Sequence, residues 1–312
     1  MKKTDFIFDT DVGNDCDDMM ALAYLVYAKR HLGVALKAIT HCAKSPHGIA
    51  AIRALLRHLG EAVPPLGEMP IEAVERDNYS KAVAERFATP EDYAPVPDAV
   101  SVLRRALTES ENAVICAVGP LTNIAALLES EGDEISPLDG VSLVREKCAK
   151  MVLMAGDFVL LEDGTSKPEF NAKVDAHATA VVARLCPVPL VFSPFELGLN
   201  MLTGKPAMEK YGESTPLSLS FMRYGDTYLK GGRHSWDPAT AVYAVEGCGA
   251  YFEDSRCGTV TVDAAGATYM KDDPCGLHRI LTVKPRAGKT EAEAKTAIAA
   301  YIDSCAMRAY RE

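Results

Sequence analysis

The sequence predicts an α/β fold, Rossmann-like, with a mostly parallel central sheet and helices on both of its faces. Short apolar segments typical of buried strands alternate with longer segments of helical character as far as residue 194. This alternation favours parallel strands, because each helix carries the chain back to the same edge of the sheet. The 312 residues contain no linker, internal repeat or low-complexity tract, so we expect a single domain that spans residues 1–312.

Short continuous apolar runs predict the strands of such a sheet. In chain order the expected strands are 6–8, 34–40, 112–119, 150–156 and 189–194. The expected helices lie between them, at 19–30, 48–60, 121–130 and 175–186. We expect the first helix to be amphipathic and the second to end at Gly60, a residue common at helix ends. In folds of this kind, ligands bind beyond the carboxyl ends of the strands.

The rest of the chain has a weaker pattern. The segments 70–100 and 200–235 are less regular and richer in charge, so we interpret them as insertions or lids. The segment 259–270 predicts a β-hairpin, and a final helix is expected near 290–310.

Composition excludes several classes of partner. A net charge of -10 argues against a nucleic-acid-binding protein and against a polybasic membrane surface. The longest apolar stretch, 113–128, is interrupted by Gly119-Pro120 and is too short to span a bilayer. No N-terminal signal is visible, and the nine cysteines include no CxxC pair. We therefore expect a cytoplasmic protein with reduced thiols.

Five aspartates crowd the end of the first expected strand, within FDTDVGNDCDDMMAL. They are Asp9, Asp11, Asp15, Asp17 and Asp18. Clustered carboxylates resist ionising together, and a helix N-terminus accounts for only one or two of them. Oxygen ligands in this number suit a hard cation such as Ca²⁺. We therefore predict a metal site, the alternative being an acidic turn before an N-capped helix.

A DxD cluster after a first strand also occurs in the haloacid-dehalogenase-type phosphatases, which form an aspartyl-phosphate. Asp9 and Asp11 could take that part. The phosphatase pattern also requires a later Ser or Thr, a Lys and an acidic pair, and no such series is evident in this sequence.

The stretch DTDVGNDCDDMMAL resembles the signature of the nucleoside hydrolase family of calcium-dependent N-ribohydrolases. It lengthens the core form D-x-D-x-G-x-D-D by Asp15 and Cys16. Three further stretches match the family in order: AVGPLTNIAALL at 117–128, VLMAGDF with KPEFNAKVDAHAT at 152–179, and SWDPATAVYAV at 235–245. Each motif alone is weak, whereas four in order over most of the chain are specific.

Each motif has a plainer interpretation when it is taken alone. GPLTN would serve as a strand-to-helix turn capped by Thr122 or Asn123, and PEFN as an ordinary loop. Asp237 before Pro238 would serve as a helix N-cap with proline at the first position. The joint occurrence of the motifs favours the resemblance.

The resemblance implies a nucleoside-hydrolase-like fold, a bound Ca²⁺, a homodimer or homotetramer, and a place in nucleoside catabolism and salvage. It implies that Asp11 is a calcium ligand and the general base that activates water. The other implied calcium ligands are Asp18, the main-chain carbonyl of Thr122, and Asp237, with Asp9 as a supporting aspartate near the metal.

The resemblance also implies a set of substrate-binding residues. Asp17 would bind the ribose hydroxyls, and Glu169 and Asn171 would hold the 5′ side of the sugar. Met154 of the M-x-G segment and Trp236 complete the set. Breaking an N-glycosidic bond builds positive charge on the ribose, which explains why carboxylates surround it.

Three departures from the family pattern concern the nucleobase side. Trp236 stands where the family often has an acid histidine, and His234 is a candidate substitute or a plain surface residue. Ser45 stands where an asparagine is usual, and the segment 74–83 contains no family-like His-Gly pair. An indole N–H donates a hydrogen bond but is no general acid at neutral pH.

The sequence thus predicts calcium-dependent hydrolysis of a ribonucleoside, or a related ribosyl compound, to ribose and a free base. One alternative is a calcium-dependent ribose- or nucleoside-binding protein that has lost catalysis. The other is the phosphatase. The nucleobase, the role of Asp15 and the substitute for the acid histidine are not fixed by the sequence.

Overall fold

The computed structural model describes residues 3–71, 77–227, 229–284 and 288–310. The strands are β1 (Thr4–Thr10), β2 (Val34–Ala43), β3 (Leu66–Ile71), β4 (Ala113–Ala117), β5 (Cys148–Met154), β6 (Leu190–Ser193), β7 (Leu202–Thr203), β8 (Arg233–His234), β9 (Phe252–Asp254), β10 (Gly258–Val262), β11 (Thr268–Asp272) and β12 (His278–Val283).

The helices carry the chain between these strands. They are α1 (Asp17–His31), α2 (Gly48–His58), α3 (Ser80–Phe87), α4 (Ala99–Thr108), α5 (Thr122–Glu129), α6 (Gly140–Lys147), α7 (Phe170–Val174), α8 (Ala176–Leu185), α9 (Phe195–Gly198), α10 (Lys205–Tyr211), α11 (Pro216–Arg223), α12 (Trp236–Glu246) and α13 (Glu291–Ala309). A 3-10 turn spans Pro90–Tyr93.

One mixed sheet runs through the molecule in the order β11-β10-β12-β6-β5-β4-β1-β2-β3, with β9 paired to β12. The strands from β12 to β3 in this order pair in parallel. The pairs β10–β11, β10–β12 and β9–β12 are antiparallel. The mostly parallel sheet predicted from the sequence is therefore confirmed, together with the hairpin predicted at 259–270.

Helices cover both faces of the sheet. Successive side chains of a strand point to opposite faces, so one strand contributes apolar residues to both layers. Phe6 and Phe8 of β1 belong to a core that α1, α2, α12 and α13 complete. Ile7, between them, belongs to a second core formed with α4, α5, α6 and α8. The predicted two-sided cover of the sheet is confirmed.

The prediction that the first helix is amphipathic is wrong. Every residue of α1 from Asp17 to Ala28 is buried, because α12 and α13 pack on the side that the sheet leaves uncovered. A helix that is buried all round needs no polar face. The first two residues of α1, Asp17 and Asp18, are aspartates and are also shielded from water. They belong to the site described below.

The segments predicted to be less regular contain short helices joined by loops, and their interpretation as insertions or lids stays a prediction. The segment 70–100 contains α3 and the start of α4, which Asp98 caps by accepting a hydrogen bond from the Ser101 amide. The segment 200–235 contains α10 and α11. Charged exposed faces on short helices hid their periodicity. Residues 72–76, part of the predicted lid, lie outside the described residues.

The predicted final helix is confirmed as α13, which begins with a capping box. Thr290 accepts a hydrogen bond from the Glu293 amide, and the Glu293 side chain accepts one from the Thr290 amide. Among the described residues, no helix has both the length and the apolar composition needed to cross a membrane.

Candidate active site

The site lies where the chain changes direction across the sheet. From β1 the chain proceeds to β2 and β3 on one side, and then crosses to β4 on the other side of β1. The loops that follow β1 and β4 therefore diverge and leave a crevice at the carboxyl edge. Asp11 follows β1, Gly119 follows β4, and Gly156 follows β5.

Three buried aspartates form a compact cluster at this edge. Carboxylate oxygens of Asp17, Asp18 and Asp237 all lie within 4.8 Å of one another. Asp17 and Asp18 open α1, and Asp237 is in the first turn of α12. Two helices that are distant in sequence therefore point their N-terminal turns at one place.

Hydrogen bonds hold the cluster in position. Asp17 Oδ2 accepts hydrogen bonds from the amides of Trp236 at 2.9 Å and Asp237 at 3.1 Å, which couples α1 to α12. Asp18 Oδ1 accepts the Thr10 hydroxyl proton and the Asp11 amide, the latter at 3.3 Å. The loop after β1 is thereby fixed to the helix that follows it.

Asp9 lies beneath the cluster as a fully buried residue of β1. Its Oδ1 accepts hydrogen bonds from the Thr40 hydroxyl of β2 at 2.5 Å and from the Asn123 amide of α5 at 2.6 Å. Asn123 belongs to the GPLTN segment, so that segment reaches the site through its asparagine. Neither Thr122 nor Asn123 caps α5, because Leu121 occupies the N-cap position and forms no side-chain hydrogen bond there.

The carboxyl groups are poorly solvated, and this controls their protonation. Burial raises the pKa of Asp9 to about 7, although hydrogen bonds from Thr40 and Asn123 oppose it. Burial also raises the pKa of Asp11 to about 7, opposed by a hydrogen bond from Asn14 and reinforced by the charges of its acidic neighbours. Burial, followed by repulsion from neighbouring aspartates that include Asp15, raises the pKa of Asp17, Asp18 and Asp237 well above the ordinary value.

The cluster fits a hard cation. Within the described part of the chain, Asp18 Oδ2 and Asp9 Oδ2 are buried and have no hydrogen-bond partner. An unpaired buried oxygen costs free energy unless something positive compensates it. Three carboxylates of like charge in contact add to that cost. These residues could therefore hold a metal ion, and oxygen donors alone suit Ca²⁺ or Mg²⁺.

A cavity of about 230 Å³ opens above the cluster. It brings together two of the predicted metal-site residues and all of the predicted substrate-binding residues: Asp11, Asp237, Asp17, Met154, Glu169, Asn171 and Trp236. Asp18 and Asp9 lie behind it. The hydroxyl of Thr122, which begins α5, donates to Asp175 at 2.6 Å, and the predicted role of its main-chain carbonyl stays a prediction.

Glu169 and Asn171 are held rigidly at one side of the cavity. Glu169 caps α7 and accepts three backbone amides, those of Gly156, Asn171 and Ala172, at 2.9 to 3.2 Å. The amide of Asn171 donates to the carbonyls of Val118 and Met154, at 2.9 and 3.0 Å. PEFN is therefore more than a plain loop. Burial raises the pKa of Glu169 to about 7 against these hydrogen bonds.

Trp236 occupies the wall where the family often has its acid. Its ring stacks on Phe195, with ring centroids 5.4 Å apart, and its indole N–H donates to the Phe195 carbonyl at 2.7 Å. The one polar group of the indole is thus used within the protein. His234 accepts the Asn200 amide at 2.9 Å through Nδ1 and does not line the cavity. Burial lowers its pKa, as does the charge of Arg233.

Several cavity residues were not predicted from the sequence. Asn14 donates to Asp11 Oδ2 at 3.0 Å, and its place inside the aspartate motif was an available signal. Asp15 forms an ion pair with Arg233, Nε to Oδ1 2.9 Å, next to Tyr224. No local pattern marks Arg233 or Tyr224, since their partners are distant in sequence.

The remaining plain interpretations resolve as follows. Asp237 is not a helix N-cap, because Ser235 precedes α12 and Asp237 lies inside its first turn. Ser45 lies within hydrogen-bonding distance of the Ser80 hydroxyl, at 3.2 Å, and of Asp77, at 3.4 Å. Part of the segment 74–83, which lacks the family-like His-Gly pair, lies outside the described residues.

Comparison with known sequences finds relatives over nearly the whole chain. Residues 6–308 match the family described as inosine-uridine preferring nucleoside hydrolase. The pyrimidine-specific ribonucleoside hydrolase RihA of Citrobacter koseri is 32% identical over 191 residues, which cover 56% of this chain and 55% of that protein. The chain thus spans about half the length of this curated relative.

Comparison with solved structures finds the same architecture. The purine-preferring ribonucleoside hydrolase from Gardnerella vaginalis aligns with a TM-score of 0.71 at 17% identity, over 97% of this chain and 99% of that chain. The inosine-uridine preferring nucleoside hydrolase from Bacillus anthracis aligns with a TM-score of 0.63 at 20% identity, over 96% and 99% of the two chains. At these identities the likeness establishes the fold.

Proposed function

The chain belongs to the inosine-uridine preferring nucleoside hydrolase family, and from that premise we propose that it hydrolyses the N-glycosidic bond of a ribonucleoside to ribose and a free base with Ca²⁺ as its metal. We also propose that it acts in the cytoplasm as a homodimer or homotetramer. Light scattering after size-exclusion chromatography tests the oligomeric state.

One observation carries the proposal. Buried carboxylates that could hold a cation border a cavity whose other walls carry the residues expected to bind ribose. Asp17 and Asp237 belong to the carboxylate cluster and also line the cavity. A metal site and a sugar site that share their ligands favour chemistry on the sugar over a purely structural ion.

Asp11 is the residue proposed to accept the proton of the attacking water. It lines the cavity, and the Asn14 amide donates to its Oδ2 at 3.0 Å, which orients the carboxylate. A carboxylate is a competent base when the water lies within hydrogen-bonding reach. When bound, Ca²⁺ supplies positive charge that acidifies water and orients the ribose hydroxyls.

The remaining carboxylates act on the sugar. As the C1′–N bond breaks, positive charge develops on the ribose ring. Asp17 and Glu169 line the cavity with acceptors that are fixed by backbone amides, so they stabilise that charge without reorganising. Asn171 is fixed likewise by two carbonyls. These contacts support the proposed roles of the three residues in binding ribose.

A second candidate function is binding without turnover. The observation that favours it is the Trp236 indole N–H, which donates to Phe195 and leaves no acid for the departing base on this residue. This candidate predicts calcium-dependent affinity for ribose or nucleosides with no product. The phosphatase alternative predicts instead magnesium-dependent release of phosphate.

The experiment that tests the proposal measures base and ribose release from inosine, uridine, cytidine, adenosine and para-nitrophenyl riboside, with and without a calcium chelator. We expect cleavage that the chelator abolishes and added Ca²⁺ restores. Release that is unaffected by the chelator contradicts the metal assignment. Binding of these compounds without product supports the second candidate.

The Asp11→Asn variant tests the base within the same assay. Loss of a positioned base lowers the rate by about 100-fold or more while the protein stays folded. Asp163→Asn, in an exposed loop, is the matched control and should retain the wild-type rate. Wild-type turnover in the Asp11→Asn variant would exclude Asp11 as the base.

A further inference from the structure

The leaving base needs a partner that the residues discussed so far do not provide. As the glycosidic bond breaks, its electron pair moves onto the base, and a base that leaves without stabilisation leaves slowly. The charged side chains among the described cavity residues are Asp11, Asp15, Asp17, Glu169, Asp237 and Arg233. Arg233 is the one cation in this set.

Arg233 is held firmly at the cavity. Its Nε donates to Asp15 Oδ1 at 2.9 Å and Oδ2 at 3.1 Å, and its Nη2 also donates to Asp15. The guanidinium carbon lies 5.0 Å from the ring centroid of Tyr224 and 4.9 Å from that of Trp236. A bidentate ion pair and two aromatic faces therefore fix the plane of the guanidinium.

The guanidinium keeps a free donor. Among the described residues, no hydrogen-bond acceptor pairs with Arg233 Nη1, although the other two nitrogens are engaged. Burial opposes the charge of Arg233, but the hydrogen bond and charge of Asp15 outweigh it and raise the pKa. The side chain is thus a permanent cation with the two N–H groups of Nη1 available.

Other candidate donors near the base side are weaker. The Trp236 N–H is engaged with Phe195, and His234 Nδ1 accepts a backbone amide outside the cavity. Tyr224 lines the cavity, and burial raises the pKa of its hydroxyl, as does the charge of Asp15. Tyr224 is therefore the competitor that an experiment must separate from Arg233.

Resting on the proposed function, we propose that Arg233 stabilises the departing base by donating a hydrogen bond to it as the C1′–N bond breaks. The electron pair of that bond moves onto the heterocycle, and the proton stays on the guanidinium. Water adds to C1′ and passes a proton to Asp11. The base anion then takes its proton from solvent, and Asp11 returns its own to solvent. Arg233 thus replaces a general acid by a fixed positive charge.

This role has a signature that a structural role lacks. A poor leaving group such as uracil or hypoxanthine needs stabilisation, whereas para-nitrophenolate needs little. The measurement is therefore the ratio of kcat for uridine or inosine to kcat for para-nitrophenyl riboside. Removing a fixed donor costs about 100-fold or more on the demanding substrate. We expect Arg233→Ala to lower the ratio by about that factor.

Matched variants separate charge from packing. Arg233→Gln keeps most of the side-chain volume, and the double variant Asp15→Asn/Arg233→Gln removes the ion pair without leaving Asp15 unpaired. Both are expected to lower the ratio as Arg233→Ala does. Added ethylguanidinium is expected to raise it again in Arg233→Ala. Tyr224→Phe keeps the ring beneath the guanidinium, and we expect its ratio to stay within about threefold of wild type.

Each outcome decides the proposal. Equal losses on all three substrates in the Arg233 variants overturn it, as does a selective loss in Tyr224→Phe. If the wild-type protein cleaves none of the compounds with Ca²⁺ present, the proposed function fails and the role of Arg233 fails with it. Cleavage by wild type together with an unchanged ratio in Arg233→Gln overturns the role of Arg233 alone.

Discussion

Gly119 has no room for a side chain at the edge of the site. A Cβ atom at this position would lie 2.8 Å from Cys42 Sγ, 3.0 Å from Asp11 Cβ and 3.2 Å from the Asp11 nitrogen. Because these atoms are buried and cannot withdraw freely, we expect Gly119→Ala to push against both Cys42 and Asp11. We expect kcat to fall at least about tenfold and the free energy of unfolding to fall by about 1–3 kcal/mol.

Steady-state kinetics and urea unfolding check this expectation. Gly212→Ala is the control, because no heavy atom lies within 4 Å of its Cβ position and it is remote from the cavity. With φ at 51° and ψ at -129°, an alanine there costs about 1–3 kcal/mol of stability without touching Asp11. Normal kinetics in Gly119→Ala would show that the loop moves without Asp11.

At the residue scale, the acidic residues of the site could be recognised from the sequence, whereas its cation, Arg233, could not. Asp11, Asp17 and Asp18 lie in one continuous motif, and Glu169 and Asn171 lie in another. Such residues can be found because local spacing identifies them. Arg233 and Asp15 are separated by 218 positions, so only the folded chain brings the pair together.

At the element scale, Asp303 links two helices in a way that depends on pH. On α13, it accepts the Gly204 amide at the start of α10 at 2.8 Å. Burial raises its pKa from 3.8 to about 7, against the hydrogen bond. The folded chain therefore binds the Asp303 proton more tightly than the unfolded chain. As pH rises from about 4 to about 7, this group's contribution to stability falls, by at most about 1.4 kcal/mol per pH unit.

Asp303→Asn removes this titration and keeps an acceptor oxygen for Gly204. We expect the free energy of unfolding of Asp303→Asn, relative to wild type, to be greater at pH 7 than at pH 4, measured by urea unfolding. Asp163→Asn is the contrast, since hydrogen bonds from Thr165 lower the pKa of Asp163 and give any effect the opposite sign. If the difference in free energy of unfolding between Asp303→Asn and wild type were the same at pH 4 and pH 7, the raised pKa of Asp303 would be excluded.

Strands and helices could be predicted where their own sequence carries a strong local signal. The strong apolar runs of β1, β4 and β5 and the capped α13 were found, whereas β3 was not. Leu66–Ile71 contains Gly67, Glu68 and Pro70, residues that disfavour strands, and pairing with β2 makes it one. By contrast, α11 had a usable signal, because Thr215 caps it and Pro216 begins it.

At the scale of the whole molecule, the cluster predicts how a metal changes stability. Without a cation, Asp17, Asp18 and Asp237 repel one another in a buried space. Binding of Ca²⁺ to the folded chain raises the free energy of unfolding, by about 2.7 kcal/mol at a concentration 100 times the Kd. We expect Ca²⁺ to raise Tm and a chelator to lower it.

The Asp18→Asn variant separates repulsion from metal binding. In chelator we expect its Tm to exceed that of wild type, because burying the Asp18 carboxyl, whose pKa is raised well above the ordinary value, costs free energy near neutral pH. The rise in Tm on adding Ca²⁺ should shrink or vanish, because a ligand is gone. Scanning calorimetry measures both, with Asp163→Asn as control. A full Ca²⁺ response in Asp18→Asn would exclude Asp18 as a ligand.

The parallel sheet was predictable from alternation, but the order of its strands was not. Nothing local places β4 beside β1 and β2 on the other side. That order decides where the loops diverge and hence where the crevice lies. The sequence therefore predicted the members of the site, while the topology supplied their arrangement.

The hydrogen bonds from Trp236 and Asp237 to Asp17 join positions 219 and 220 residues apart. During synthesis, Asp11, Asp17 and Asp18 leave the ribosome long before Asp237 exists. A chain cut anywhere between them keeps the acidic motif and its repulsion but not the helix that completes the pocket. Translation must therefore pass α12 before a nascent chain can acquire a complete site, and prematurely terminated products lack one.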